Sequence, residues 1–361
     1  MFTGSKPQIR KIKYVEAINE AFHQIMESDD SVFVLGVGVN SPWYVGRSMS
    51  GLYERFGQDR VIDPPVAENG ITGIAIGAAL AGMRPVVVHP RMDFMYLAMD
   101  QIVNHAASWH YMFGGRVNVP VTIRGIVNRG GEQAAQHSQN LAAFFMHVPG
   151  LKVVAPSMAY DAKGLLIASI LDDNPVIYID DRWLYENQGE VPQDVYEVPI
   201  GKGIIRREGD DLTVVATSYL VWEALTAGTI LEAEGINAEV IDLRSLKPLD
   251  TELIFASVAK TGRLLIADGT WKTCGVAAEI SSCVAENAFN YLRAPVMRVT
   301  LPDTAAPASS SLEECFYPRA EQIVSAARDL LYYRRSHDLQ SALRRPSAAL
   351  SKPEEGTLAR Y

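Results

Sequence analysis

Short runs rich in valine and isoleucine alternate along this chain with longer stretches whose apolar positions recur every three to four residues. The runs Val32–Val39, Arg84–His89, Val119–Ile126, Leu151–Ala155 and Pro175–Ile179 predict strands. They are continuously apolar rather than alternating, which is the pattern of strands covered on both faces in a parallel sheet. Between them the helical period predicts helices at Tyr14–Glu27, Ile71–Ala81, Phe94–Met112 and Tyr160–Leu171, with Ser157 placed to cap the last. A polar stretch, Asn187–Asp194, interrupts the pattern and reads as a linker. Beyond it the same alternation restarts. Strands are expected near Leu212–Ala216, Ala238–Leu243, Leu264–Ala267 and Val296–Leu301, and helices near Leu220–Glu234, Val276–Ala288 and Ala320–Leu330.

The fold class that follows is α/β, with two doubly wound domains over residues 1–186 and 195–333. From Arg334 the period is lost. Arg334, Arg335, Arg344 and Arg345 lie among serine, proline and alanine, so residues 334–361 read as a flexible basic tail.

Composition narrows the class. A chain of 361 residues with 48% hydrophobic and 21% charged residues has the make-up of a globular protein with a large interior. The net charge of -9, with no basic patch in the body of the chain, argues against a nucleic-acid partner. No apolar run reaches the roughly 18 residues of a membrane span, and the N-terminus lacks an apolar signal core. Cys274, Cys283 and Cys315 are too few and too scattered for a disulfide framework or a zinc site. A cytoplasmic location is the expectation.

Three features carry possible chemistry. Glu68 lies at a glycine-marked turn, Pro65–Gly70, where an apolar segment enters a helix rich in small residues. A carboxyl in apolar surroundings is held closer to its protonated form and suits general acid–base work. An acid in a helix's first turn is equally favoured by the helix dipole, and the residues alone favour that plainer role. Gly70, Gly73, Gly77 and Gly82 in and after this helix indicate either close approach of another backbone or ligand, or tight packing within the domain. His137 sits in a polar, glycine-rich loop after the strand ending near Gly125. Ligands of parallel α/β folds bind where loops leave the carboxyl ends of strands, so His137 is placed either for proton transfer or for ordinary backbone hydrogen bonding. By contrast, Ala267-Asp268-Gly269 with Asn287 and Asn290 only partly matches the GDG…N pattern that holds magnesium and a diphosphate; its first glycine is missing.

Together the motifs form a family pattern. Tyr14–Ala21, Arg60–Glu68, Ala75–Ala79, Gly82–Pro85, Asp100–Asn104, Ala135–Gln139, Pro149–Val154 and Asp173–Pro175 resemble the β-subunit of the thiamine-diphosphate-dependent 2-oxoacid dehydrogenases, of the pyruvate and branched-chain type. The similarity extends to about residue 330. It implies a transketolase-like pyrimidine-binding domain followed by a transketolase C-terminal-like domain. It further implies that Glu68 hydrogen-bonds N1′ of the cofactor's aminopyrimidine and promotes the imino tautomer that deprotonates the thiazolium C2. Phe94 and Met92 are implied as cofactor-binding residues, Phe94 by stacking on the pyrimidine. His137 would face the substrate or the acyl-carrying lipoyl arm. Some family members bind potassium through backbone carbonyls, which correspond here to Val121, Ser169, Ile170, Asp172 and Asn174.

The resemblance also implies a partner. The GDG…N motif and its Mg²⁺ would lie on a separate α-subunit, the two chains forming an α2β2 heterotetramer with the cofactor at the interface. The implied reaction is decarboxylation of a 2-oxoacid with transfer of the acyl group to a lipoyl carrier on an acyltransferase. A split transketolase's C-terminal subunit, an acyloin-forming enzyme and a non-catalytic regulatory subunit are the alternatives. Two departures from the family pattern matter, the first for a proton relay between paired active sites and the second for the substrate pocket. Gly36-Val37-Gly38 lacks an acidic residue that many relatives carry, and Val88-His89-Pro90-Arg91-Met92 replaces a common Glu-Phe-Met-x-Phe.

Overall fold

The computed structural model describes residues 9–131 and 133–333, so the expected tail at 334–361 lies outside the described residues. Two parallel-type sheets carry the fold. The first has seven strands in the order Ser245–Lys247, Lys152–Val154, Val176–Asp181, Thr122–Val127, Arg84–His89, Val32–Gly36 and Val61–Ile62. The second has five, in the order Met297–Leu301, Leu264–Trp271, Leu212–Ala216, Ala238–Asp242 and Ile204–Arg207. All neighbours run parallel except the terminal strands Ser245–Lys247 and Ile204–Arg207, which are antiparallel. Every residue of Thr122–Val127 and of Val176–Asp181 is buried, as continuous valine and isoleucine runs require when helices cover both faces.

Helices Tyr14–Ser28 and Ala159–Leu171 pack together on one face of the first sheet. On the second sheet Leu220–Ala233 pairs with Ala320–Leu331, whose buried residues Ala320, Ile323, Val324, Ala327 and Leu330 follow the helical period. The apolar interior is continuous between the halves. Val153 and Ile177 of the first sheet belong to the same buried cluster as Val215, Ile241 and Leu243 of the second. A polar bond reinforces this seam: Arg129 donates to Asp181 at 2.7 Å and to the Gly269 carbonyl at 3.1 Å, with its guanidinium over the Tyr219 ring.

Four expectations need correction. The stretch expected as a linker contains a strand, Gln188–Pro192, antiparallel to Ile9–Lys13. The pairing ties the start of the chain to the end of the first half. Ser157 does not cap the helix after it, because its hydroxyl donates to Asp242 across the seam and Met158 is the capping position. The continuous helix expected over Phe94–Met112 is three pieces: a 3₁₀ helix Met92–Ala98, a π-helix Gln101–Ala106 and an α-helix Ala107–Met112. Finally, helix Thr251–Thr261 has no counterpart among the expected elements. Asp250 caps its start and Gly262, at φ +72°, ends it.

Candidate active site

A cavity of about 410 Å³ opens at the carboxyl ends of strands Val32–Gly36 and Arg84–His89. Its walls come from four segments that the sheet order brings together. Glu68 is the first residue of helix Glu68–Leu80 and is half-buried on the cavity wall. Phe94 enters from the 3₁₀ helix, and His137 from the loop after strand Thr122–Val127. Val37, Trp43 and Tyr44 close the side that follows the first strand. Three of the residues singled out in the sequence, Glu68, Phe94 and His137, therefore meet in one cavity.

The geometry within it is specific. The Phe94 and His137 rings meet edge to face, with centroids 5.5 Å apart and planes at 79°. The histidine loop is held by Asp93, which is buried and accepts the Gln139 N–H at 3.0 Å. Burial pushes the Asp93 carboxyl above its ordinary range, and the Gln139 N–H partly offsets the shift. The same loop holds Ala134 at φ +60°, a left-handed conformation that costs a non-glycine residue about 1 kcal/mol or more. Strain of this kind persists where surrounding bonds fix a functional loop. The Glu68 carboxylate has no hydrogen-bond partner in the chain among the described residues, which leaves it available to a ligand.

Met92 requires a correction. It is fully buried and does not line the cavity; its sulfur faces the Leu141 N–H at 3.4 Å and its side chain packs close to Gly125. The departures from the family pattern do reach the cavity. Val37 lines it, as do His89 and Arg91. Burial lowers the His89 pKa to about 4, so its imidazole is neutral at physiological pH, and it lies 3.4 Å from the Thr72 hydroxyl. Asp93, Trp43 and Tyr44 had no sequence signal beyond their nearness to Phe94 and to the first strand's end.

The residues matched to a potassium site also come together. The Ile170 and Asp172 carbonyls both accept from Arg84, at 3.1 Å each, and the Ser169 carbonyl accepts from Thr122 at 3.0 Å. The Val121 carbonyl accepts the Val176 N–H, and the Asn174 N–H donates to Asp172 Oδ1. Two of these carbonyls, those of Ile170 and Asp172, are thus already taken by the Arg84 guanidinium, itself a cation. The partial GDG…N match behaves differently. Both Asp268 oxygens are committed within the chain: Oδ1 accepts the Thr270 N–H of its own turn at 3.0 Å, and Oδ2 accepts the Ala277 N–H at the start of the following helix at 2.9 Å.

The fold and site define a class before any closer relative is considered. The description "Transketolase, pyrimidine binding domain" matches residues 10–188, and "Transketolase, C-terminal domain" matches residues 201–323. A solved chain described as a split gene transketolase, inactive beta4 tetramer, superposes with a TM-score of 0.74 over 89% of this chain and 98% of its own. At 24% identity it supports the fold alone. Among curated relatives, the pyruvate dehydrogenase E1 component subunit beta of Rickettsia bellii is 44% identical, covering 88% of this chain and 98% of its own. The acetoin:2,6-dichlorophenolindophenol oxidoreductase subunit beta of Cupriavidus necator is 45% identical over 88% and 97%. The mitochondrial pyruvate dehydrogenase β-subunit of Bos taurus is 40% identical over 91% and 93%. The chain belongs to the family of 2-oxoacid dehydrogenase first-component β-subunits, which spans pyruvate- and acetoin-type members.

Proposed function

We propose that this chain is the pyrimidine-binding half of a thiamine-diphosphate enzyme that decarboxylates a 2-oxoacid and passes the acyl group to a lipoyl carrier. The observation that carries the reading is the convergence of Glu68, Phe94 and His137 on one cavity. The residues present suit the cofactor's aminopyrimidine end. An unpartnered carboxyl, an aromatic face and apolar walls from Val66, Ile71 and Leu97 match a flat ring with a basic nitrogen. When bound, thiamine diphosphate supplies the carbanion that adds to the substrate carbonyl.

In this reading Glu68 binds the ring nitrogen and moves a proton at its carboxyl. Phe94 fixes the ring plane. His137, edge-on to Phe94, donates to or accepts from the substrate oxygen. Asp93 holds the His137 loop in register through Gln139. The chain acts with an α-subunit that carries the GDG…N motif and Mg²⁺, in an α2β2 assembly whose expected location is the cytoplasm. Among the described residues no helix is long and apolar enough to cross a membrane. Potassium at the Val121, Ser169, Ile170, Asp172 and Asn174 set is a structural cation in this proposal. An acyloin substrate is the second reading, favoured by the acetoin-type relative.

Calorimetric titration tests the assembly. Thiamine diphosphate with Mg²⁺ is expected to bind when the chain is mixed with its α-subunit. Tight binding by the chain alone would contradict the split site. In the reconstituted enzyme Glu68→Gln lowers turnover by roughly 10²–10⁴-fold, the range of lost acid–base catalysis. A wild-type rate would remove Glu68 from the mechanism.

A further inference from the structure

One strongly polar group of the cavity has no part in the reaction as described. Arg91 is only 8% exposed and lines the cavity beside His89 and Phe94. A guanidinium carries five N–H donors in a planar fork. Here Nη1 donates to the Pro90 carbonyl at 2.9 Å and Nη2 to Gln133 Oε1 at 3.3 Å. The buried Nε has no hydrogen-bond partner among the described residues. Asp93 is the carboxylate on the same segment, and its Oδ1 accepts from Gln139 instead of pairing with Arg91. Among the described residues no carboxylate forms an ion pair with Arg91.

A second guanidinium strengthens the field. Arg182 donates from Nη2 to the carbonyls of Trp43 and Tyr44, two wall residues, and its buried Nε is likewise unpartnered. Burial, and after it the positive charge of Arg182, makes the Arg91 cation harder to hold than usual, while the nearby Asp93 carboxylate offsets part of this. A buried charge with no carboxylate in contact and only Asp93 nearby is costly, and an arriving anion lowers that cost. The fork geometry selects a planar anion with two oxygens, a carboxylate.

We propose that Arg91 binds a carboxylate at the far end of the substrate, so that the acyl donor is a 2-oxoacid bearing a second carboxylate. The proposal rests on the 2-oxoacid reading above. The substrate's other carboxylate is a poor match. It leaves as carbon dioxide, and its charge disperses as the carbon–carbon bond breaks. A guanidinium gripping it would favour the ground state over the transition state. A distal carboxylate keeps its charge throughout, so the same grip positions the carbonyl without opposing the reaction.

The test compares 2-oxoglutarate and 2-oxoadipate with pyruvate and 2-oxobutyrate, using the enzyme reconstituted with its α-subunit and an artificial electron acceptor. The expected result is a kcat/KM for at least one dicarboxylic substrate exceeding that for pyruvate by about 10-fold or more, the effect of a charge-assisted hydrogen bond. Arg91→Gln is expected to reduce that ratio to within about 3-fold, chiefly through KM, while Arg91→Lys keeps part of it because the charge remains. Turnover of pyruvate with no dicarboxylic preference in the wild type overturns the proposal and leaves the 2-oxoacid reading standing. Turnover of none of the four, nor of a branched-chain 2-oxoacid, overturns that reading. In that case calorimetry with glutarate and butyrate, on wild type and Arg91→Gln, decides the Arg91 assignment separately. Tighter glutarate binding that Arg91→Gln abolishes supports it, and equal affinities overturn it.

Discussion

At the scale of single residues the cavity owes its character to groups that burial has pushed away from their ordinary behaviour. His89 is the clearest. Its folded pKa of about 4 lies below the ordinary 6.5, so the unfolded chain binds a proton more readily across that interval. The stability that depends on neutral His89 is full above pH 6.5 and is lost as pH falls toward 4, by an amount of order 3 kcal/mol. His89→Phe is expected to flatten the dependence of the urea midpoint on pH over that window. An unchanged slope would assign the loss to other groups. Legibility in the sequence divides along the same line. Glu68 and His137 could be placed near a site from a glycine-marked turn and a strand-end loop, though each kept a plainer reading until the family pattern was added. Met92 shows the limit of that transfer, because a position two residues before Phe94 in a 3₁₀ helix points into the core. Arg91 and His89 appear in the sequence only as departures from a pattern. Their burial and missing partners are properties of packing that no spacing encodes.

The elements show where hydrophobic period is a sufficient guide. Strands buried on both faces were readable because most of their positions are apolar, the buried Arg124–Asp180 pair apart, and amphipathic helices because one face is. The segment Met92–Met112 misled because its apolar positions fit a helical period, whereas its local hydrogen bonds pass through 3₁₀ and π geometry. The Ser108 hydroxyl, donating to the Val103 carbonyl five residues back at 2.9 Å, follows that wider turn. Helix Glu68–Leu80 resolves its glycines unevenly. A side-chain carbon at Gly73 would touch Gln101, so that glycine serves packing inside the chain, while Gly77 faces open space next to the exposed Ile74. Gly77→Ala is therefore expected to stabilise the isolated chain by up to about 1 kcal/mol, read as a rise in Tm. Gly77→Leu also folds but fails to assemble with further chains, read by light scattering. Normal assembly of the leucine variant would show that this face receives no partner.

For the whole molecule, the two halves share one interior and one set of buried polar bonds. Arg129 joins them by reaching Asp181 and Gly269 together. Removing the cation strands a fully buried carboxylate, so Arg129→Met is expected to cost about 3–5 kcal/mol in urea unfolding. A cost below 1 kcal/mol would mean that the apolar seam alone holds the halves in place. The restart of the α/β pattern after residue 194 made the two-part architecture visible in the sequence. The crossing strand Ser245–Lys247 was not, since three residues show no period and its partner lies in the other half. That strand has a practical meaning for anyone dividing this protein. A fragment ending at the apparent linker would expose the hydrogen-bonding edge of Lys152–Val154, with no cover from the rest of the chain. Such an edge pairs with its own kind, so the cut that looks safest on paper yields the adhesive piece.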